Sequence, residues 1–319
     1  MPRVLLIATG DVIAYGRSGL RSAAELLADL PPGKGTVEPM DVLTEPAWDM
    51  TSSTMLMLAR TVRTAVLDDG YDGVVVTHGL DTIEETAFLT DLLVGPAAAR
   101  AGIVFTGAAR RPDELGADGP RNLAAALVAA RDPALRLAGA VVCVDDDLHA
   151  ARWVTQVDAT AVAGFSSAPY PPVGRVVGGG AGAGVEPLGA PPPRPPRAAG
   201  EPATDVALIR TYPGMEASVL TAVVDGGAAG VVIEGTGNGN VPTSLLAAIS
   251  DLTDWGIPVV VASRCRAGVT TDPPESHFLA ATVGAIGARG LAASKARLAL
   301  MVALGSGSPA GVRRWFEAL

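Results

Sequence analysis

Cysteine and histidine are scarce in this chain of 319 residues, with two of the first and three of the second. Cys143 and Cys265 lie far apart in sequence near apolar runs. They are expected to be buried free thiols in a reducing cytoplasm rather than a disulfide framework. His78, His149 and His277 share no ligand spacing, and no H-E-x-x-H pattern occurs, so no metal is expected. A serine-centred elbow is also missing, which leaves a serine hydrolase without support. Basic charge is in deficit: the net charge is −9, and no basic arm or stripe is visible. Nucleic acid and anionic membranes are therefore poor candidates for partners. No uninterrupted apolar run reaches the about 18 residues of a membrane span. The opening MPRVLLIATG is too short for a signal core and lacks a small-residue cleavage site, so it reads as a first strand.

What is abundant is apolar: hydrophobic residues make up 49% of the chain, enough for large cores, and the length suits two domains. The most informative stretch is Val74–Leu93, VVVTHGLDTIEETAFLTDLL. A β-branched run ends at His78-Gly79. Asp81, Thr82, Glu84 and Glu85 then supply helix-start chemistry, and Ile83, Ala87, Phe88 and Leu92 recur at helical spacing. Open α/β sheets bind ligands where a strand's C-terminal end meets a helix N-terminus.

Strands are expected at Arg3–Thr9, Asp41–Pro46, Gly102–Thr106 and Gly139–Val144. Helices are expected at Ser22–Leu30, stopped by Pro31-Pro32-Gly33, at Thr51–Leu67 and at Asn122–Ala130, while His149–Phe165 reads as irregular. This alternation predicts an α/β fold with a doubly wound, mainly parallel N-terminal sheet over 1–177. GGGAGAG and PPPRPPR mark 178–205 as a Gly/Pro-rich linker, and a smaller α/β domain follows over 206–319. Its strands are expected at Val206–Arg210, Ala229–Glu234 and Pro258–Ala262, with a loop at Ser263–Asp272. Its helices are expected at Ser244–Trp255 and Gly290–Leu304, the latter with Lys295 and Arg297 on a polar flank.

The segments IATG at 7–10, VTHGLDTIEETAFLTDLL at 76–93, TGAARRPDELGADGPRNL at 106–123, DDDLHAARWVTQ at 145–156, TYPGM at 211–215 and VIEGTGNGNVP at 232–242 resemble, in order and spacing, the bacterial asparaginase/glutaminase family. The resemblance implies hydrolysis of the side-chain amide of asparagine or glutamine by threonine nucleophiles, without metal or cofactor. It also implies homodimers or homotetramers, with a site shared between subunits. The family's T-G-G-T-I-A appears here as Thr9-Gly10-Asp11-Val12-Ile13-Ala14, so Val12 stands in place of the nucleophile. T-H-G-T-D-T appears as Thr77-His78-Gly79-Leu80-Asp81-Thr82, so Leu80 replaces the second threonine. The family lysine falls on Gln156, which has no titratable amine. The family's Ser-Gln before Asp-Met is Ala47-Trp48 here, so two groups that would hold the substrate carboxylate have gone.

The remaining catalytic candidates are Asp11 and Asp81. Asp11 can act as a general base or carboxylate nucleophile, or be a turn-former bonded to its own backbone. Asp81 matches the family carboxylate that grips the substrate's amino group, and its plainer role is a helix cap. Thr9, Val12, Tyr15, Asp49, Gly79, Leu80, Thr82 and Gln156 complete the candidate binding set, with Asp49 equally readable as a cap before Thr51. Val12, Leu80, Trp48 and Trp153 together would make the pocket drier and bulkier. Asp145-Asp146-Asp147 reads as a solvated acidic loop rather than a cation site.

Three readings stay open. One is a divergent enzyme acting on an amide-, imide- or amino-acid-like small molecule with carboxylates. A second is a catalytically silent relative that binds a small molecule or partner. The third is an ordinary asparagine/glutamine amidohydrolase using another hydroxyl such as Thr9.

Overall fold

Val74, Val75 and Val76 are wholly buried, as a strand covered on both faces requires. They belong to the eight-stranded sheet of the N-terminal unit in a computed structural model that describes residues 2–17, 19–31, 35–179, 182–268 and 279–319. Readings that touch Ser18, Pro32, Gly33, Gly180, Ala181, His277 or the end of the Ser263–Asp272 loop fall outside the described residues. The strands are β1 Arg3–Ala8, β2 Thr36–Asp41, β3 Gly73–Thr77, β4 Gly102–Thr106, β5 Ala140–Val144, β6 Asp147–Ala150, β7 Gly174–Val177 and β8 Gly184–Pro187. Their spatial order is β8-β7-β6-β5-β4-β3-β1-β2. The first five are parallel to their neighbours, and the last three add an antiparallel edge. The chain thus runs from β1 outward to β2 and returns to β3 on the other side of β1. The crevice at the C-terminal ends of β1 and β3 is a topological switch point.

Helices α1 Ala23–Ala28, α2 Ser52–Leu67, α3 Ile83–Val94 and α4 Gly119–Arg131 link or flank these strands. Ser22 and Glu25 form a reciprocal capping box at the start of α1, and Thr51 caps α2 through the Thr54 N–H.

Several elements differ from the sequence reading. The second strand is Thr36–Asp41, ahead of the expected Asp41–Pro46. It holds Pro39, which an edge strand tolerates because one side needs no backbone donor. His149 lies in a strand, not an irregular segment, because Asp145 and Asp146 both take positive φ, 52° and 66°, and turn the chain directly from β5 into antiparallel β6. The stretch 178–205 is only partly without regular structure, since β8 pairs with β7. The N-terminal compact unit runs through Arg194.

The second unit, 195–319, has a four-stranded parallel sheet: β9 Val206–Arg210, β10 Gly230–Gly235, β11 Val259–Ser263 and β12 Ile286–Gly287, in that order. Its helices are α5 Ser218–Asp225, α6 Leu246–Asp254, α7 Ala293–Leu304 and α8 Pro309–Glu317. Lys295 is 1% exposed on α7, not on a polar flank, because this helix is apolar around most of its circumference and is buried accordingly. Arg297 donates from Nε to the Val206 carbonyl. Cys143 is buried and free, with burial pushing its thiol pKa up. Cys265 is exposed, because it sits in the turn after β11 rather than in the strand. No helix among the described residues is long and apolar enough to cross a membrane.

Candidate functional site

The loops that leave β1, β2 and β3 meet at the switch point, and Ala47 is where they are tied together. Its N–H donates to Asp11 Oδ2 at 2.7 Å, and its carbonyl accepts from the Thr82 hydroxyl at 2.8 Å. Asp11 Oδ1 accepts the Val12 N–H at 2.6 Å. The Asp11 carboxylate is therefore bonded through both oxygens to backbone donors, and its side chain is buried. Its backbone, at φ 70° and ψ −168°, occupies a region that is almost exclusive to glycine and costs about 1–3 kcal/mol elsewhere.

Gly79 passes close by: a Cβ there would lie 2.2 Å from Asp11 Oδ2 and 2.5 Å from the Ala47 Cβ. Only a residue without a side chain fits beneath the carboxylate. Thr9 donates from its hydroxyl to the Thr77 carbonyl at 2.8 Å, and Tyr15 donates from its N–H to the Asp11 carbonyl.

Directly before Gly79 in the chain is a buried imidazole, that of His78. His78 Nδ1 hydrogen-bonds the Gly79 carbonyl at 2.8 Å. Burial lowers the His78 pKa, against smaller opposing effects from that bond and from Asp11. Its Nε2 and the Thr77 hydroxyl are both buried with no hydrogen-bond partner among the described residues. The sequence reading considered His78 only as a metal ligand and passed over Thr77. Their position at the strand end directly before Gly79 was the available signal.

The remaining candidates spread outward. Asp81 sits in a short 3-10 turn, Leu80–Thr82, with an exposed carboxylate. Neither Gly79 nor Thr82, the cap residues of that turn and of α3, makes a side-chain cap bond. Val12, Leu80 and Thr82 are half-buried, and the Leu80 Cδ2 packs over Gly107. Asp49 is exposed in the turn Ala47–Asp49, and Thr51 takes the capping role at α2. Trp48 is 64% exposed, so it does not dry the crossing. Trp153 stacks on Tyr170, ring centroids 4.1 Å apart. Gln156 lies in a separate ribbon, Thr155–Gln156 paired with Phe165–Ser166, and no hydrogen bond joins it to the switch-point loops among the described residues.

The long loop after β4 is braced by a pair that sequence reading did not single out. Asp118 accepts from the Ala109 and Arg110 N–H groups, both at 2.9 Å, and from Asn122 Nδ2 at 3.1 Å. Asn122 Nδ2 also donates to the Gly107 carbonyl, and its Oδ1 accepts the Asp145 N–H. Their spacing of four residues across a helix start was the legible signal. The acidic turn is neutralised by arginines, Asp146 by Arg121 at 2.7 Å and Asp147 by Arg175 at 2.6 Å. No cluster of three metal-ligating side chains occurs among the described residues.

Residues 3–186 match the family model described as asparaginase, N-terminal, and residues 205–316 match the glutaminase/asparaginase C-terminal domain. The chain belongs to the asparaginase/glutaminase family. A probable L-asparaginase of Deinococcus radiodurans is 35% identical over 99% of this chain and 97% of its own length. The L-asparaginase of Bacillus licheniformis is 30% identical over 95% of this chain and 96% of its own. The crystal structure of a probable cytoplasmic L-asparaginase from Campylobacter jejuni superposes with a TM-score of 0.85 at 26% identity, covering 100% of both chains. The asparaginase fold therefore accounts for both units.

Proposed function

We propose that this asparaginase-family chain binds an amino-acid-like small molecule at the switch-point crevice and does not hydrolyse asparagine or glutamine by a threonine mechanism. The observation that carries this reading is the bonding of Asp11. Both carboxylate oxygens already accept backbone N–H groups, so this buried side chain is tied to its own loops rather than held open toward a substrate. The hydroxyl positions expected from the family resemblance are held by Val12 and Leu80, which have no nucleophilic atom. Thr9 is committed as a donor to the Thr77 carbonyl. Asp81 supplies the grip: an exposed carboxylate just ahead of α3, suited to an ammonium group.

One feature favours the divergent-enzyme reading as a second possibility. Asp81 is exposed and accepts no hydrogen bond from the described residues, so its oxygens are open to a substrate. In that case Asp81, rather than Asp11, carries proton transfer on an amide- or imide-like substrate. A cytoplasmic setting and paired subunits belong to the same proposal. The Campylobacter relative is named cytoplasmic, although a Haemophilus influenzae relative is named periplasmic.

The deciding assay is ammonia release from asparagine and glutamine. The wild-type chain is expected to give none above background, whereas robust turnover abolished by Thr9→Ala would overturn the reading. Melting-temperature shifts across amines, amides and amino acids then identify the ligand class. A ligand whose stabilisation survives Asp81→Asn unchanged would count against the grip.

A further inference from the structure

The loops of β1, β2 and β3 bring two backbone N–H groups, those of Val12 and Ala47, to one point at the C-terminal ends of the strands. In an open α/β sheet this is where a ligand is held, and converging N–H groups there suit an anion. Here the anion is part of the chain. Asp11 fills the place with its own carboxylate while holding a backbone conformation that favours glycine. Gly79 leaves the room that this carboxylate occupies.

We infer that Asp11 is an internal plug that sets specificity: it takes the donors a ligand carboxylate would use and excludes carboxylate-bearing ligands from the crevice. The ligand class that remains is an amine whose neighbouring group is neutral, such as an amino amide. The ammonium is left to Asp81, and a free α-amino acid is rejected because its carboxylate finds those donors occupied. Asp11 is on this account a specificity residue and takes no part in bond making. This inference rests on the small-molecule reading above and refines it.

Calorimetric titration with L-asparagine and L-asparaginamide, which differ in one carboxylate, tests the plug. Wild type is expected to prefer the amide. Asp11→Gly vacates both donors and relaxes the backbone, and it should bind asparagine about tenfold or more tightly than wild type does, the scale of a charge-assisted hydrogen bond regained. Asp11→Asn removes the charge but leaves a side chain of the same size in place, so it should show no such gain. An equal gain in Asp11→Asn would overturn the inference, because charge and not occupancy would be the cause. A folded Asp11→Gly without gain, or a wild type that binds asparagine as tightly as the amide, would also overturn it. Failure of Asp11→Gly to fold counts against it too, since the carboxylate would then be a structural brace. The ammonia assay reports separately: turnover of asparagine by wild type defeats the underlying reading, whichever way the variants behave.

Discussion

At Asp11 a single side chain ties two loops of the crossing together. A carboxylate in a glycine-favouring conformation is maintained only if its surroundings compensate, and the two N–H bonds to Oδ1 and Oδ2 do so. The closeness of Gly79 follows from the same geometry and gives a direct prediction. Gly79→Ala would place a methyl 2.2 Å from Asp11 Oδ2 and 2.4 Å from its Cγ. Overpacking at a buried site costs about 1–3 kcal/mol, so the melting temperature should fall by several degrees. Pairing it with Asp11→Gly should recover part of the loss in a double-mutant cycle; full additivity would show that the two residues do not collide. Set beside the family resemblance, the sequence makes Asp11 read as an odd residue in a glycine-threonine signature, and Val12 and Leu80 as proposed losses of hydroxyls. It did not reveal which atoms Asp11 contacts, because Ala47 is 36 residues away and bonds through its backbone, which leaves no trace in residue type.

At the scale of elements, the valine-rich strands and the helix after His78-Gly79 were legible because burial on both faces imposes an uninterrupted apolar run. Thr36–Asp41 was not, since an edge strand can carry Pro39 and several polar residues. The β5–β6 turn was hidden for a different reason. Asp145 and Asp146 read as acidic chemistry, whereas their structural part is to adopt left-handed φ and reverse the chain. The same holds for Asp118, which looks like one acid among several in a polar loop. Its carboxylate gathers two N–H groups and the Asn122 amide, so it fixes the loop after β4 onto the start of α4. Asp118→Ala should cost about 1–2 kcal/mol, the lower part of the range for orphaned donors, because these two N–H groups are only part-buried. The amides of Ala109 and Arg110 should lose hydrogen-exchange protection while those of β4 keep theirs. Unchanged exchange at both amides would mean that the brace is dispensable.

At the scale of the molecule, the first compact unit runs through Arg194, inside the Gly/Pro-rich segment. Composition shows where a chain has no periodicity; it does not show where a single long side chain anchors it. Arg194, within PPPRPPR, reaches Asp91 on α3 and pairs with its carboxylate, while its Nη2 donates to the Asp91 carbonyl at 2.8 Å. The Ala140 N–H bonds the same carboxylate at 2.9 Å. Burial raises the Asp91 pKa, and Arg194 is the foremost of the groups that oppose the rise. Arg194→Ala would leave a buried carboxylate with one backbone donor. Breaking such a pair costs about 3–5 kcal/mol when fully buried, and somewhat less here because the Arg194 side chain is 28% exposed. The sign of the pH effect follows from linkage. A carboxyl whose folded pKa is raised loses stability as pH rises from its ordinary value, near 3.9, through the raised one. Removing the arginine raises it further, so the gap between variant and wild type should be widest at neutral pH and narrow toward pH 4. Adding Asp91→Asn should restore much of the neutral-pH loss, because the buried group is then uncharged at every pH. Trypsin cleavage after Arg197 should also quicken in Arg194→Ala at neutral pH. A gap that stays constant from pH 7 to pH 4 would refute the role of the Asp91 charge and leave only lost packing to explain the variant.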